Sequence, residues 1–197
     1  LHTGHGLQGR PSMGAWIGYG LGAEAHDLPA YAVLNGGLIP PGGVDNFHSG
    51  FLPAHCQGSR FAMRGQPIAN LQPLVAAERQ RDLLRLGADL DRLTLAERGD
   101  DPALEAAIRN GELAFRMQAA VPELMQLDGE SAHLRRLYGF DDEYEHSRTF
   151  ARQCLLARRL VERGVRFVEL TCPDTGSDRW DQHNNLERGL GRNCRTV

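Results

Sequence analysis

Val161-Glu162-Arg163-Gly164-Val165-Arg166-Phe167-Val168-Glu169-Leu170-Thr171 is the stretch that decides the fold class. A glycine after a charged run stops a helix, because it takes the left-handed conformation at a helix C-terminus without a Cβ penalty. Val165 to Thr171 follows at once with apolar side chains at nearly every position, the pattern of a buried strand. Upstream, Phe150, Cys154, Leu155, Ala157 and Leu160 mark the apolar side of a helix that starts at Asp141 or Asp142. Helix, glycine, buried strand and polar loop form the αβ unit of a mostly parallel sheet, so the chain is expected to be α/β.

Past the strand comes Trp180-Asp181-Gln182-His183-Asn184. A carboxylate and an imidazole just beyond a strand's carboxyl end are placed where an open α/β sheet holds a catalytic metal. An Asp oxygen suits Zn²⁺, Mn²⁺ or Ca²⁺, and His biases the choice toward Zn²⁺ or Mn²⁺. Two side chains do not close a metal site. The competing reading has Asp181 capping the next helix while His183 faces solvent.

The segment from Leu1 to about Leu71 is rich in Gly and Pro, with short apolar runs such as Leu28 to Leu34 ahead of Asn35-Gly36-Gly37. That pattern predicts short strands and functional loops. Pro11 to Gly22 reads as one short helix with a glycine stop. From Pro73 to Glu97 and from Pro102 to Leu127, apolar residues recur at helical spacing among Arg and Glu. In the second helix Leu104, Ala107, Ile108, Leu113, Met117 and Val121 are expected to share a face, with Asp101 and Pro102 at its start. Gly139 breaks a further short helix, and the chain stops inside an amphipathic one, so both ends look cut. No internal repeat or clear domain boundary is evident.

Composition narrows the function. At 197 residues and 41% hydrophobic content, the chain forms one domain or a large part of a bigger one. A formal net charge of −3, with no Arg cluster interleaved with aromatics, makes nucleic acid an unexpected partner. Cys56, Cys154, Cys172 and Cys194 are scattered without a C-x-x-C pair and read most simply as buried thiols. No apolar run reaches transmembrane length, which is about 18 residues.

The opening Leu1 to Ser12 offers His2, His5 and Arg10 in a glycine-rich setting ahead of a helix. Backbone amides there can receive an oxyanion, with Arg10 as a charge-assisted clamp, although the phosphate-loop spacing is missing and such segments are commonly only turns. His48 and His55 read as hydrogen-bonded loop organisers. No G-x-S-x-G or H-E-x-x-H motif is present, so serine-hydrolase and zincin readings have no footing.

The segments HTG, GRPSMGAWIGYGLG, LPAYAVL, SGFLPAHCQGS, PIANL, ELAFRMQAAVPEL, YGF, RQCLLARRLVERGVRFVEL and WDQHNN, in that order over nearly the whole chain, resemble the DUF1501 family. The resemblance places it in the alkaline phosphatase and sulfatase superfamily. It implies an alkaline phosphatase-like α/β sandwich with a mostly parallel central sheet, the chain being part of one such domain, with a helical insertion at about 73–137. It also implies a metal-dependent site for sulfate or phosphate esters, in an exported or periplasmic protein. Asp181 and His183 are similar to the superfamily's mid-chain Asp and His ligands. The early Asp and nucleophile are expected upstream of Leu1, and the late E-F-G-R and G-R-D-H type motifs beyond Val197. No C-x-P-S-R sulfatase signature is visible.

These observations lead to an expected fragment of a sulfatase-like or phosphatase-like hydrolase acting on small-molecule or polysaccharide esters. Asp181 and His183 would bind a divalent metal as Lewis acid and charge clamp, and Arg10, His2 and His5 would contact the substrate oxyanion. The alternative is an exported carbohydrate- or partner-binding protein that kept the scaffold and lost catalysis. A third is a scaffold piece without independent activity.

Overall fold

The computed structural model describes residues 2–197 apart from Asn70, Pro73, Leu74, Asp100, 176–179, Asp181 and Gln182. Along the chain run α1 (Met13–Leu21), β1 (Tyr31–Asn35), β2 (Ser59–Ala62), α2 (Ala77–Arg98), α3 (Pro102–Met125), α4 (Ala132–Tyr138), α5 (Glu145–Glu162), β3 (Phe167–Thr171) and α6 (Leu186–Thr196). Two 3₁₀ turns, Gly43–Phe47 and Ala54–Cys56, lie between β1 and β2. The architecture is mixed α/β around a parallel three-stranded sheet of order β2-β1-β3.

Local chemistry explains the element ends. Ser12 caps α1 by accepting from the Ala15 amide at 3.2 Å, and Gly22 at φ 65° ends that helix. Asp101 accepts from the amides of Ala103 and Leu104 ahead of Pro102, the expected start of α3. Gly164 turns the chain at φ 92°, and its carbonyl accepts from the Glu24 and Ala25 amides. A Cβ at Gly164 would lie 2.7 Å from the Ala25 nitrogen, so close approach as well as φ requires glycine there.

β1 is the central strand, and Tyr31, Ala32, Val33 and Leu34 are all buried. Its side chains alternate between two faces. Ala32 and Leu34, with Phe61 of β2, pack under Met117, Ala120, Val121 and Leu124 of α3 and Leu156 and Leu160 of α5. Tyr31 and Val33 face the other way, with Phe47, Ile39 and Phe167, beneath α1. Arg159 of α5 ties down the end of α3, donating to the Leu124 and Gln126 carbonyls at 3.0 and 2.9 Å and pairing with Glu130.

Three expectations need correcting. β3 is half-buried except at Thr171, because it lies at the edge of the described sheet and carries Glu169 among its apolar residues. The buried residues of α3 are Ala106, Met117, Ala120, Val121 and Leu124, while Ala107 is exposed. Met117, Ala120, Val121 and Leu124, in the C-terminal half of that helix, are pressed against the sheet, and its middle, at Glu112, Phe115 and Arg116, runs beside α2. All four cysteines are free thiols, but only Cys56 is buried, and Cys194 is exposed. Among the described residues, no helix is long and apolar enough to cross a membrane.

Candidate functional site

In the order β2-β1-β3, the chain passes from β1 to β2 at one edge and then crosses back over β1 to β3 at the other, which makes the carboxyl ends of β1 and β3 a topological switch point. Open α/β sheets bind ligands in the crevice such a reversal leaves. Here Asn35 pairs with Thr171 across the last rung. The Thr171 hydroxyl donates to Asn35 Oδ1 at 3.3 Å and accepts from the Gly36 amide at 3.0 Å. A Cβ on Gly36 would come within 2.4 Å of the Thr171 carbonyl oxygen, so only glycine allows this closeness.

From the α5 side the buried Gln153 donates its amide to the carbonyls of both Leu34 and Thr171, at 2.7 and 2.8 Å. Two carbonyl acceptors require the NH₂ group between them, which fixes the orientation of the amide. Gln153 thereby clamps the ends of the two strands that frame the crevice.

The α1 face carries the chemistry. α1 runs antiparallel to the strands: Gly18 near its C-terminus rests on Ala30, just before β1, and its N-terminal turn lies over Tyr31 and Phe167. That turn is stitched to two loops, with the Ser12 amide donating to the His48 carbonyl at 3.0 Å and the Met13 amide to the His2 carbonyl at 2.9 Å. Gly14 allows the approach, since a Cβ there would fall 2.6 Å from the Tyr31 ring and 2.7 Å from the Phe167 ring.

This brings His2 over β3. His2 Nδ1 is 2.9 Å from Glu169 Oε1, and the Tyr31 hydroxyl donates to Glu169 Oε2 at 2.6 Å. The His2 ring meets Phe47 edge-on at 5.9 Å. Burial, then the hydrogen bond to Glu169 and its negative charge, push the Tyr31 phenol far above its ordinary range, with the Ser12 hydroxyl acting in the opposite sense. Tyr31 therefore remains a donor at all working pH values. With both carboxylate oxygens engaged, Glu169 holds the imidazole with Nδ1 as the protonated nitrogen, leaving Nε2 to accept or deliver a proton.

Of the residues expected to contact substrate, the structure brings only His2 into this cluster. His5 and Arg10 are exposed on the glycine-rich segment, and His5 Nδ1 accepts from the Leu7 amide at 3.0 Å. His48 organises its loop as expected, accepting from the Gly50 amide at 3.1 Å. His183 is exposed in the turn before α6, whose N-cap is Asn185 at φ 51°. Asp181 lies outside the described residues. Glu169 and Tyr31 were missed, although a carboxylate inside an otherwise apolar strand was a legible sign that a buried partner had to exist.

A catalytic zinc site takes three protein ligands. Among the described residues, no group of three or more His, Cys, Asp or Glu side chains is placed to hold a metal ion. The described residues alone therefore do not furnish a metal site.

No curated protein and no solved structure matches the chain. A family model does, over residues 1–197, and the chain belongs to that family, DUF1501, a family of proteins of unknown function.

Proposed function

We propose that the protein hydrolyses sulfate or phosphate esters on an alkaline phosphatase-like scaffold, in the crevice at the carboxyl ends of β1 and β3. The observation that supports this reading most is the Tyr31–Glu169–His2 arrangement on the α1 face of those strands. A carboxylate fixed by a phenol orients an imidazole for proton transfer. In hydrolysis, Nε2 of His2 takes a proton from water as its oxygen attacks sulfur or phosphorus. The ester oxygen departs, and the proton is returned to it as the alcohol leaves. The positive end of the α1 dipole, rather than its already engaged first amides, favours the negative charge of the ester group.

Asp181 and His183 remain the proposed ligands of a divalent ion, Zn²⁺, Mn²⁺ or Ca²⁺, which when bound would supply Lewis-acid stabilisation of the oxyanion. The steps above run through the chain's own residues and not through that ion.

The test is hydrolysis of 4-nitrophenyl sulfate and 4-nitrophenyl phosphate, with each of the three ions added in turn. His2→Gln is expected to lower kcat by about 10²–10⁴-fold. Elemental analysis of Asp181→Ala and His183→Ala reads the ligand assignment separately, since unchanged metal content would remove it. Ester binding without turnover under every condition would overturn the hydrolase reading in favour of a binding protein on the same scaffold.

A further inference from the structure

α2 exposes a stripe of leucine that the described residues do not cover. Leu83, Leu86, Leu90 and Leu93 are 54%, 57%, 56% and 62% exposed. Toward α3, the same helix presents Arg81, Leu84, Arg85, Ala88 and Arg92, opposite Glu112, Phe115 and Arg116. At about 100° per residue the four leucines fall away from that side, within roughly 80° of one another.

The spacing is three, four and three residues, the a and d seam of a helix that packs against another helix. Arg79 continues it one step toward the N-terminus and Glu97 one step toward the C-terminus. Both are exposed, and neither forms an ion pair among the described residues.

The order of residues along the stripe identifies its partner. About Ala88 the seam reads the same from either end, with Leu86 mirrored by Leu90, Leu83 by Leu93 and Arg79 by Glu97. A two-fold contact joins one patch to its own copy, so the patch must be self-complementary. Turned antiparallel about Ala88, two copies place every a position against a d position. Leucine then meets leucine, and the cationic end of each seam meets the anionic end of the other. A parallel pair would set Arg79 on Arg79 and Glu97 on Glu97, which is repulsive.

We infer that the chain self-associates through α2, as an antiparallel two-fold pair centred at Ala88. This surface is distinct from the crevice at the strand ends and does not depend on the chemistry proposed there.

Sedimentation equilibrium over a range of concentrations and salt tests the pairing. A reversible dimer is expected. Leu86→Glu should weaken it at least about tenfold, since each two-fold contact then buries two unpaired carboxylates. Circular dichroism should show an unchanged fold, because Leu86 already faces solvent. Arg79→Glu and Glu97→Arg should each weaken the dimer about threefold to tenfold, and the double reversal should restore it. The inference is overturned by a monomer at every concentration, by a dimer indifferent to Leu86→Glu, or by a double reversal no tighter than either single change.

Discussion

The two faces of the same strands differ in kind. On the α5 side, Ala32, Leu34 and Phe61 pack into an apolar cluster with α3 and α5, with Gln153 at the strand ends. On the α1 side, Tyr31, Glu169, Asn35 and Thr171 alternate with apolar neighbours and are linked to one another or to His2. Since the same backbone supports both, the polar face is not a requirement of the fold. An apolar α1 face would avoid the cost of desolvating Glu169, so its polar groups are better explained by chemistry.

That contrast predicts opposite responses to substitution. Leu156→Ala opens a cavity in the α3–α5 core and should cost about 2–5 kcal/mol of stability, measured by urea unfolding. Gly14→Ala probes the seam between α1 and the polar face. It gains helix propensity of about 1 kcal/mol, but its methyl would meet the rigid rings of Tyr31 and Phe167. The overpacking cost of about 1–3 kcal/mol should leave a net loss of stability. Glu169→Gln should change stability by less than about 1 kcal/mol, since the amide oxygen still accepts from Tyr31. It should nonetheless depress ester hydrolysis strongly, because the imidazole loses its charged partner. A large stability loss with activity intact would erase the distinction between the faces.

Much of the fold was legible in the sequence because its signals are local. Gly164, Asp101 with Pro102, and Gly139 each mark a helix end by their own backbone or capping chemistry, and the structure puts helix ends at all three. The half-burial of β3 was not legible, since burial depends on what lies beside a strand rather than on its own composition. The α1-face cluster joins residues more than 130 positions apart in sequence, Tyr31 and Glu169 among them, and such contacts leave no spacing to read. Glycine 14 was visible within the predicted helix, but its reason, two rings underneath, belongs to tertiary structure. The loop after β3 drew attention through its residue types, whereas Glu169 lies inside the strand and its partners, Tyr31 and His2, come from distant parts of the chain.

The smallest expected effect comes from a polar group on the apolar side of this comparison. The 3₁₀ turn Ala54–Cys56 packs on α3, and His55 Nδ1 is buried there without a hydrogen-bond partner. Burial, and secondarily the positive charge of Arg109, hold the His55 imidazolium below its ordinary range. The unfolded chain therefore binds this proton more readily than the folded one, and folding stability rises with pH across that interval. The favourable difference is complete above the unfolded value of about 6.5 and declines as pH falls through the lower, folded value. Urea midpoints of the parent and His55→Leu, measured between pH 7.5 and 5, isolate this contribution from those of the other histidines. The parent should lose more stability on acidification than the variant. Parallel pH profiles would mean that His55 is solvated, and would remove this polar exception from the apolar half of the molecule.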